Sequence, residues 1–583
     1  MPRPKGTPLS AFAIFLLAAV IGVSGGLLGS LFQHGLSAIQ HAFTGLEPGE
    51  DLSDAVRSNL DWWQTLLLPA AGGLVSGLVI LLLRGNKPPF GIADLVVLVQ
   101  LRKGAIRLRE SLVQIVASAC TIGTGGSIGK EGANSQIAAT IASLLARWTR
   151  LGSRPRAVLV GCGVAAGMAT SYNAPIAGAI FVMEVVLGNF AMDVFAPIVV
   201  ASVLATMVRG EYLGTGAIYG GSLPTKIGTV PSTLVLTAIL LGVFCGFGGV
   251  LFRAALRGAR RAFAALRLPP PIALALGGLV VGGIGVFMPE TWGNGFEVID
   301  DIAHGPTAVL VLTLFFWKVV ATCGTVGSGG LGGIFTPNLV IGAALGTFFV
   351  YGLDALHPGS PTAPDVLAEE FAVFTFVGMA GLTSATMHAP VTAVVLIFEL
   401  TGHYEIVMPA MLCSIVASIA SSIVDQDSYY TAAIRAKGEE VPSGIEDMAI
   451  RSTFVRDVMR GELLTVRDTA SFEEVMRMLG EHRGDTIYVQ DQGGALIGRI
   501  ELQDVKNFIN DPTLSSVVIA ADLTRPAITA SPDDSIAALM PRFEDPELRE
   551  IAIVRGKPAR LVGRVRHLDV ITTIGSEVLG PQR

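Results

Sequence analysis

Long apolar runs fill the chain from residue 11 to about residue 425, and polar positions become frequent only after them. A helix that crosses the hydrocarbon core of a bilayer needs about 20 apolar residues. Many runs approach that length, such as Leu66–Leu83, Leu234–Phe252 and Ile406–Ile423. Other runs are shorter or contain glycine or proline, and broken segments are tolerated at membrane depth only where they line a cavity or pack inside protein. The pattern predicts a domain of many membrane helices, some of them broken, as is typical of transporters.

Two segments of this apolar region repeat about 215 residues apart. AAGMATSYNAPIAGAIFVMEV and AGLTSATMHAPVTAVVLIFEL each contain an Ala-Pro pair and, nine residues after the proline, a glutamate (Glu184 and Glu399). A glycine-rich turn that opens a helix precedes each of them, GSIGKEGANSQIAATIASLLA and GSGGLGGIFTPNLVIGAALG. So long a period is typical of two membrane halves, which are often inverted, with the ion site where they meet. The predicted fold class is therefore an all-α polytopic membrane protein with two inverted repeat halves, followed by an α/β tail.

The tail is recognised by a change of pattern after about Thr431. RAKGEEVPSGIEDM reads as a polar linker, and after it the predicted strands DTIYVQ and LIGRIEL alternate with the predicted helix SFEEVMRML. The same order returns in SIAALMPRF, EIAIVR and LVGRVRHLDV. The predicted domains are a transmembrane domain over 1–435, a linker over 436–452, and two similar α/β halves over 453–512 and 513–583.

Composition agrees with a membrane protein, since 51% of the residues are hydrophobic and only 15% are charged. A soluble domain carries about 25% charged residues. The eight histidines and five cysteines show no metal-ligand spacing, and the chain contains neither a P-loop nor a nucleophile elbow. We therefore expect no enzyme, no metal, no resident cofactor and no nucleic-acid partner.

A glutamate stands in the first glycine-rich turn, where Gly129 and Gly132 flank Lys130 and Glu131. A charged side chain at the bilayer centre costs about 3 kcal/mol or more, so Glu131 should face water or an ion path. The residues after it read as a helix, and a helix N-terminus favours negative charge. Glu131 could occupy an anion site when ionised and leave it when an anion or a proton arrives. The alternative interpretation is a capping glutamate at a helix start in a loop.

The second glycine-rich turn, GGIFTP, repeats this arrangement. Gly333 lets the backbone turn tightly, so Ile334 and Phe335 can point their N–H groups at an anion while the Phe335 ring excludes water. Pro337 suits the first helical turn, where its missing N–H is not needed. The alternative is an ordinary entry from a glycine turn into a helix.

These motifs, in this order, resemble those of the CLC family of chloride channels and proton-coupled chloride exchangers along nearly all of residues 10–435. GSIGKEGA is similar to the family's G-K/R-E-G-P signature, with Ala133 in place of the proline, and the match implies that Glu131 is the gating glutamate. GGIFTP is similar to the G-x-F-x-P signature. DSYYTAAIRAKG is similar to the start of the final helix, and its spacing favours Tyr430 over Tyr429 as the tyrosine that closes the inner side of the site.

The resemblance implies an anion site whose members come from these turns and from a third segment, PPFGIADL. That segment departs from the family's G-S-G-I-P signature, because a phenylalanine replaces the serine whose hydroxyl would face the anion, and Ala93 replaces the proline. The loss of a hydroxyl donor puts the preference for chloride in doubt. The expected anion-binding residues are Phe90, Gly91, Ile92, Gly129, Lys130, Glu131, Gly132, Gly333, Ile334, Phe335 and Tyr430.

A further departure concerns the proton path. Exchangers of the family often carry two adjacent glutamates, the second being the proton acceptor, whereas this chain has Glu184 followed by Val185. Glu184 and Glu399 are expected to bind backbone N–H groups at nearby helix starts, and Lys318 is expected to be a buried partner. We therefore favour uncoupled, channel-like conduction, with proton-coupled chloride exchange as the alternative. A sensor or scaffold with a vestigial pore is the alternative from another class.

The tail resembles a tandem pair of CBS domains. Nucleotide-binding members often carry G-x-x-S/T-x-x-D, which aligns with Gly498 to Asp504 and with Gly563 to Asp569, but the hydroxyl positions hold Glu501 and Arg566. Asp504 and Asp569 could hold a ribose, so nucleotide binding stays open, and a dimerisation and regulatory role is preferred.

The resemblance further implies the partners and location of the protein. It implies a homodimer with one pore per subunit and chloride, or another small anion, as the transported ligand. It also implies a multi-pass protein of the plasma or inner membrane whose tail is cytoplasmic.

Overall fold

The computed structural model describes residues 8–47, 50–84, 91–100, 106–149, 153–188, 190, 192–222, 232–356, 364–436, 438, 450, 453–461, 463–481, 486–509, 517–545, 548–556 and 558–579. The chain forms two compact units that divide between Val441 and Pro442, inside the segment predicted as the linker. The first unit is helical and the second is α/β, so the predicted multi-span helical fold with an α/β tail is confirmed.

The first unit consists of helices joined by short turns. Their bounds are α1 Pro8–Thr44, α2 Leu52–Asn59, α3 Trp62–Arg84, α4 Ile92–Gln100, α5 Leu108–Gly123, α6 Glu131–Trp148, α7 Ser153–Tyr172, α8 Pro175–Phe181, α9 Met192–Leu213, α10 Ser232–Ala265, α11 Pro270–Gly285, α12 Val298–Ala303, α13 Ala308–Gly327, α14 Phe335–Leu356, α15 Pro364–Met387, α16 Pro390–Thr401, α17 Val407–Val424 and α18 Tyr429–Arg435. A π-helical turn, Val182–Leu187, continues α8, and short 3₁₀ turns lie at Pro289–Thr291 and Tyr404–Ile406.

Among the described residues, seven helices are long and apolar enough to cross a membrane. Their spans are Phe12–Thr44, Trp62–Leu83, Val194–Leu213, Leu236–Ala265, Ala308–Gly327, Phe335–Ala355 and Tyr404–Arg435. Shorter apolar helices such as Pro175–Leu187 and Pro390–Thr401 lie among them. The protein is therefore a multi-pass membrane protein that contains short apolar helices as well as long ones.

Glycine allows the closest helix contacts in this bundle. A Cβ atom at Gly73 of α3 would overlap the backbone of Leu274 in α11, and one at Gly278 of α11 would overlap the backbone of Pro69 in α3. Small residues at such crossings let two backbones approach, which is a main source of helix association in lipid.

The two halves of the membrane unit repeat one local turn closely. Helix α7 leads into α8 through Asn173, and α15 leads into α16 through His388. The two residues have nearly the same left-handed backbone, with φ of 54° and 53°. A proline then begins each short helix, where its missing N–H costs nothing. The repeat in the sequence therefore corresponds to a repeat in the structure.

The two repeats also cap each other's short helices. Glu184, in the π-helical turn of the first half, accepts the N–H groups of Val391 (3.1 Å) and Thr392 (2.8 Å) at the start of α16. Glu399, at the end of α16, accepts those of Ile176 (2.9 Å) and Ala177 (2.7 Å) at the start of α8. Each carboxylate satisfies two N–H groups that the helix leaves free, and its charge suits the helix N-terminus.

The tail contains two three-stranded sheets of the same design. The strands are β1 Leu464–Arg467, β2 Ile487–Gln490 and β3 Leu496–Ile500 in the first half, and β4 Thr529–Ala530, β5 Glu550–Arg555 and β6 Arg560–Arg566 in the second. In each sheet the first strand pairs with the second in parallel, and the second pairs with the third in antiparallel fashion. Helices lie at Val455–Val458, Phe472–Glu481, Leu502–Ile509, Ile536–Leu539 and His567–Leu579, with 3₁₀ turns at Ala520–Leu523 and Met540–Glu544.

A buried polar cluster joins the two halves of the tail. The Tyr488 hydroxyl of β2 donates to Glu550 of β5 (2.7 Å), and Arg564 of β6 donates to the other oxygen of the same carboxylate (3.1 Å). Burial and the Glu550 charge raise the pKa of Tyr488, so this hydroxyl keeps its proton. The cluster ties the repeats together within one unit.

Candidate functional site

The two glycine-rich turns of the membrane unit pair with each other. Gly129 donates its N–H to the carbonyl of Gly333 (2.7 Å), and Gly333 donates back to the carbonyl of Gly129 (2.9 Å). Helix α6 begins two residues after the first glycine, and α14 begins two residues after the second. The pairing therefore brings the N-termini of two helices, one from each half, to the same place.

The carboxylate of Glu131 fills the space between these turns. Its Oε1 accepts the N–H groups of Phe335 (2.8 Å) and Thr336 (3.4 Å), and its Oε2 accepts the Thr336 hydroxyl (3.1 Å). A Cβ atom at either Gly129 or Gly333 would overlap this carboxylate, which explains the glycine at both positions. Glu131 is 0% exposed. It thus begins its own helix but binds the start of the helix from the other half.

Such a site suits a negative charge. The first N–H groups of α14 lack partners within the helix, and the helix dipole adds partial positive charge there. A hydrogen bond to a charged group contributes about 1.5–3 kcal/mol. The N–H groups that hold the carboxylate could hold a small anion instead.

Aromatic rings surround this contact and exclude water. The Phe335 ring packs against Tyr172 (centroids 5.4 Å apart) and Phe181 (6.0 Å), and Phe181 packs against Tyr430 (6.0 Å). The Tyr172 hydroxyl lies 2.9 Å from the Thr336 hydroxyl. Phe335 is 0% exposed and Tyr430 is 2% exposed, so hydrogen bonds at the site act in a poorly hydrated environment.

Two cavities approach the site. One has a volume of about 290 Å³, and we call it the Tyr430 cavity; it is lined by Gly91, Asp94, Gln114, Ile128, Arg260, Val326, Gly327, Gly329–Ile334, Tyr429, Tyr430 and Ala433. The other has a volume of about 560 Å³, and we call it the Lys130 cavity; it is lined by Asp51, Lys130, Ile218, Tyr219, Gly221, Ser222, Asn294, Phe296, Glu297, Asp300, Asp301 and His304. The Glu131 carboxylate lies against Gly333, which lines the first cavity, and Glu131 follows Lys130 in sequence, which lines the second.

The Lys130 cavity is strongly acidic. Burial, together with the charges of Asp54 and Asp300, raises the pKa of Asp51. Burial and the charge of Asp51 likewise raise the pKa of Asp301. Each of these carboxyl groups makes ionisation of its neighbours more costly.

Two of the expected anion-binding residues, Gly91 and Gly132, lie in different surroundings. Gly91 lines the Tyr430 cavity, and its N–H donates to Oδ2 of Asp94 (2.7 Å) within the start of α4, which begins at Ile92. Gly132 packs against the backbone of Gly332 in the other half. Phe90 lies outside the described residues.

The Lys130 side chain turns away from the Glu131 carboxylate. Its ammonium group donates to Oε1 of Gln33 on α1 (2.8 Å) and lies 5.9 Å from the centre of the Phe296 ring. Its ammonium group therefore lies at the Lys130 cavity, whereas its backbone forms part of the turn that carries Glu131.

The residues predicted for the proton path and for a buried partner have defined contacts. The Glu184 carboxylate is engaged by the amides of α16, and it also accepts the Thr392 hydroxyl (2.6 Å). Val185 packs against the hydrophobic core of the membrane unit. Lys318 is buried and donates to the carbonyls of Thr291 (3.0 Å) and Gly293 (3.3 Å).

In the tail, both aspartates predicted to hold a ribose are paired with arginine. Asp504 lies 2.5 Å from Nε of Arg525, and Asp569 lies 2.7 Å from Nε of Arg460. Each aspartate is also within hydrogen-bond distance of the backbone N–H three residues before it. A nucleotide that used these carboxylates would have to displace an arginine at each of them.

Sequence reasoning missed three residues of the site. Thr336, Tyr172 and Phe181 complete the surroundings of the Glu131 carboxylate and the Phe335 ring. Thr336 stands inside GGIFTP, so its hydroxyl was a visible candidate. The two aromatic residues gave no comparable signal, since only folding brings α7 and α8 beside α14.

Comparison with known proteins identifies the family. The profile of the voltage-gated chloride channel family matches residues 72–422, and that of the CBS domain matches residues 455–511. A ClcB-like protein of Ralstonia nicotianae is 38% identical over 72% of this chain and 96% of its own length. The voltage-gated ClC-type chloride channel ClcB of Escherichia coli is 32% identical over 72% of this chain and 98% of its own length.

Solved structures share the fold. A slow cyanobacterial Cl⁻/H⁺ antiporter aligns with a TM-score of 0.63 at 23% identity, over 73% of this chain and 97% of that one. A eukaryotic CLC transporter aligns with a TM-score of 0.61 at 18% identity, over 97% of this chain and 99% of that one. The chain therefore belongs to the CLC family of voltage-gated chloride channels and transporters, which are multi-pass membrane proteins and not enzymes, and it carries a CBS domain after its membrane domain.

Proposed function

We propose that the protein transports chloride along a path that joins the Lys130 cavity to the Tyr430 cavity, with Glu131 as the gate. The observation that carries this proposal is the carboxylate of Glu131 on the first N–H groups of α14, next to Gly333. A capping glutamate in a surface loop would be exposed to water, whereas this one is buried.

The gate works by competition for the same donors. When Glu131 is ionised, its carboxylate satisfies the N–H groups of Phe335 and Thr336 and leaves no donor for an anion. When it is protonated or displaced, these groups become free to bind chloride. Phe335 and Tyr430 keep water out of the narrow part of the path, so that the anion exchanges its hydration shell for protein donors.

Uncoupled, channel-like conduction is the preferred mode. Val185 cannot carry a proton, and the Glu184 carboxylate beside it is engaged by two amides and a hydroxyl of α16. A proton that left Glu131 toward the Tyr430 side would therefore find no side chain at position 185 to accept it.

Proton-coupled exchange is the second candidate, and the closed state of the site favours it. Glu131, Phe335 and Tyr430 are all buried, which supports a path that is closed between the two cavities. A path that is closed in the middle is expected of a protein that moves ions in discrete steps.

The experiment is chloride flux from proteoliposomes, recorded with a chloride electrode and a pH electrode in wild type and Glu131→Gln. We expect wild-type flux without uphill proton movement, and a changed rate with no pH dependence in the variant. Glu211→Gln is the matched control, because it neutralises an exposed carboxylate that lines neither cavity and does not contact the amides of α14. Proton movement at a fixed ratio to chloride would favour exchange, and no flux at all would favour the sensor or scaffold.

The same proposal includes assembly and the role of the tail. The protein acts as a homodimer with one path per subunit, and the tail is a cytoplasmic regulatory and dimerisation module. Asp504 and Asp569 are the candidate nucleotide contacts, although each is ion-paired with an arginine, Arg525 and Arg460 respectively. Cross-linking in detergent tests the dimer, and calorimetry with ATP tests the tail.

A further inference from the structure

The charges that line the Tyr430 cavity are few. Its charged side chains are Asp94 and Arg260. Asp94 is engaged at the start of its own helix, where it accepts the N–H of Gly91. Arg260 reaches the cavity from α10, beside the start of α18, which carries Tyr430.

Arg260 holds its position through a neutral partner. Its Nη2 donates to the Tyr429 hydroxyl (2.7 Å), and its guanidinium lies 5.2 Å from the centre of the same ring. Tyr429 in turn packs edge-on against Tyr430 (centroids 5.4 Å apart). The positive charge is thus fixed one residue away from the tyrosine at the end of the proposed path.

Two other arginines of α10 share one carboxylate. Arg257 lies 2.7 Å from the Asp425 carboxylate, and Arg253 lies 3.6 Å from it. Among the ion pairs of the described part of the chain, Arg260 takes part in none. Its half-buried charge therefore faces the cavity without a carboxylate partner, and such a charge attracts anions.

We propose that Arg260 is a selectivity residue of the Tyr430 cavity. Its positive charge concentrates anions in this cavity and so speeds their entry into the path. The inference rests on the proposed chloride transport. The Lys130 cavity, in contrast, is lined by four carboxylates, Asp51, Glu297, Asp300 and Asp301, and by one lysine, Lys130. Anion entry from the Tyr430 side is then the faster of the two.

The test measures initial chloride flux in proteoliposomes at fixed chloride and varied ionic strength, adjusted with sodium gluconate. We expect Arg260→Gln to lower the rate about tenfold at low ionic strength, the lower end of what charged clefts contribute to entry rates. The loss should fade at an ionic strength of about 1 M, where the screening length is about 3 Å. Arg260→Lys, which keeps the charge, should restore most of the rate.

Two further variants separate charge from structure. Tyr429→Phe removes the hydrogen bond but keeps the charge, and it should retain most of the flux. Arg261→Gln removes an exposed charge that does not line the cavity, and it should leave the flux unchanged. If Arg260→Gln does not fold, Arg260→Met, whose stem still covers the Tyr429 ring, replaces it.

Several results would overturn the inference: an unchanged rate in Arg260→Gln, an equal loss at every ionic strength, no rescue by lysine, or an equal loss in Tyr429→Phe. Each of these leaves wild-type flux intact and so leaves the proposed function standing. Absence of wild-type flux would instead contradict the proposed function itself.

Discussion

At the scale of single residues, the hydroxyl of Thr336 connects the Glu131 carboxylate to Tyr172. It donates to the carboxylate and therefore accepts from the tyrosine. Because this hydrogen bond favours the ionised carboxylate, it helps to keep the proposed gate closed. The N–H groups of α14 supply the rest of the stabilisation, and they do not depend on side-chain identity.

Replacing this hydroxyl should make the gate easier to open. In Thr336→Val, the Glu131 carboxylate loses one hydrogen-bond donor. A hydrogen bond to a charged group contributes about 1.5 kcal/mol, which corresponds to about one pH unit. We therefore expect the curve of flux against pH to move by about one unit toward higher pH. The measurement is proteoliposome flux between pH 4.5 and 8. Thr347→Val is the control on the same helix, since its hydroxyl bonds Thr375 instead. A curve that coincides with wild type would remove Thr336 from the gate.

At the scale of elements, the crossed caps explain how two short helices are stable inside the membrane unit. Helix α8 has seven residues and α16 has twelve, and each begins with a proline. Helices this short are marginal by themselves, so their stability comes from packing and capping. The caps come from the opposite half, because Glu399 follows α8 by more than 200 residues.

Neutralising a crossed cap should destabilise the whole membrane unit. Glu399→Gln loses the charge and one of two acceptors, so we expect about 1–3 kcal/mol less stability. Thermal unfolding in detergent should show a lower Tm. The control is Glu405→Gln at an exposed glutamate near His403. Equal Tm values for the two variants would mean that the caps add nothing measurable.

At the scale of the whole molecule, the Lys130 cavity gathers carboxylates from distant parts of the chain. Asp51 precedes α2, and Asp301 lies in α12. The pKa of each is raised by burial and by neighbouring carboxylates. A carboxyl group whose pKa is raised in the folded state favours folding when protonated, and that stability is lost as pH rises through its folded pKa.

This charge cluster should make stability depend on pH in the mildly acidic range. We expect Asp51→Asn to have a higher Tm than wild type at pH 7.5, with the difference shrinking as the pH falls toward 4, where wild type becomes protonated. Asp61→Asn, at an exposed aspartate outside the cavity, should follow the wild-type profile. A constant difference between Asp51→Asn and wild type at every pH would contradict the mechanism.

The sequence alone determined the features that depend on local residue types. Apolar runs of membrane length, the repeat that ends in Glu184 and Glu399, and the glycine turns before Glu131 and Phe335 could be predicted because spacing and side-chain type decide them. The strands of the tail followed from their alternation with helical patterns for the same reason.

Only the tertiary structure decided which helix each charged side chain contacts. The Glu131 carboxylate binds amides 204 residues away in sequence, and Arg260 reaches a tyrosine 169 residues away. The Lys130 side chain turns toward Gln33 and away from the carboxylate beside it. No local pattern encodes these choices, because a buried charge takes whatever donors or acceptors the packed helices bring within about 3 Å.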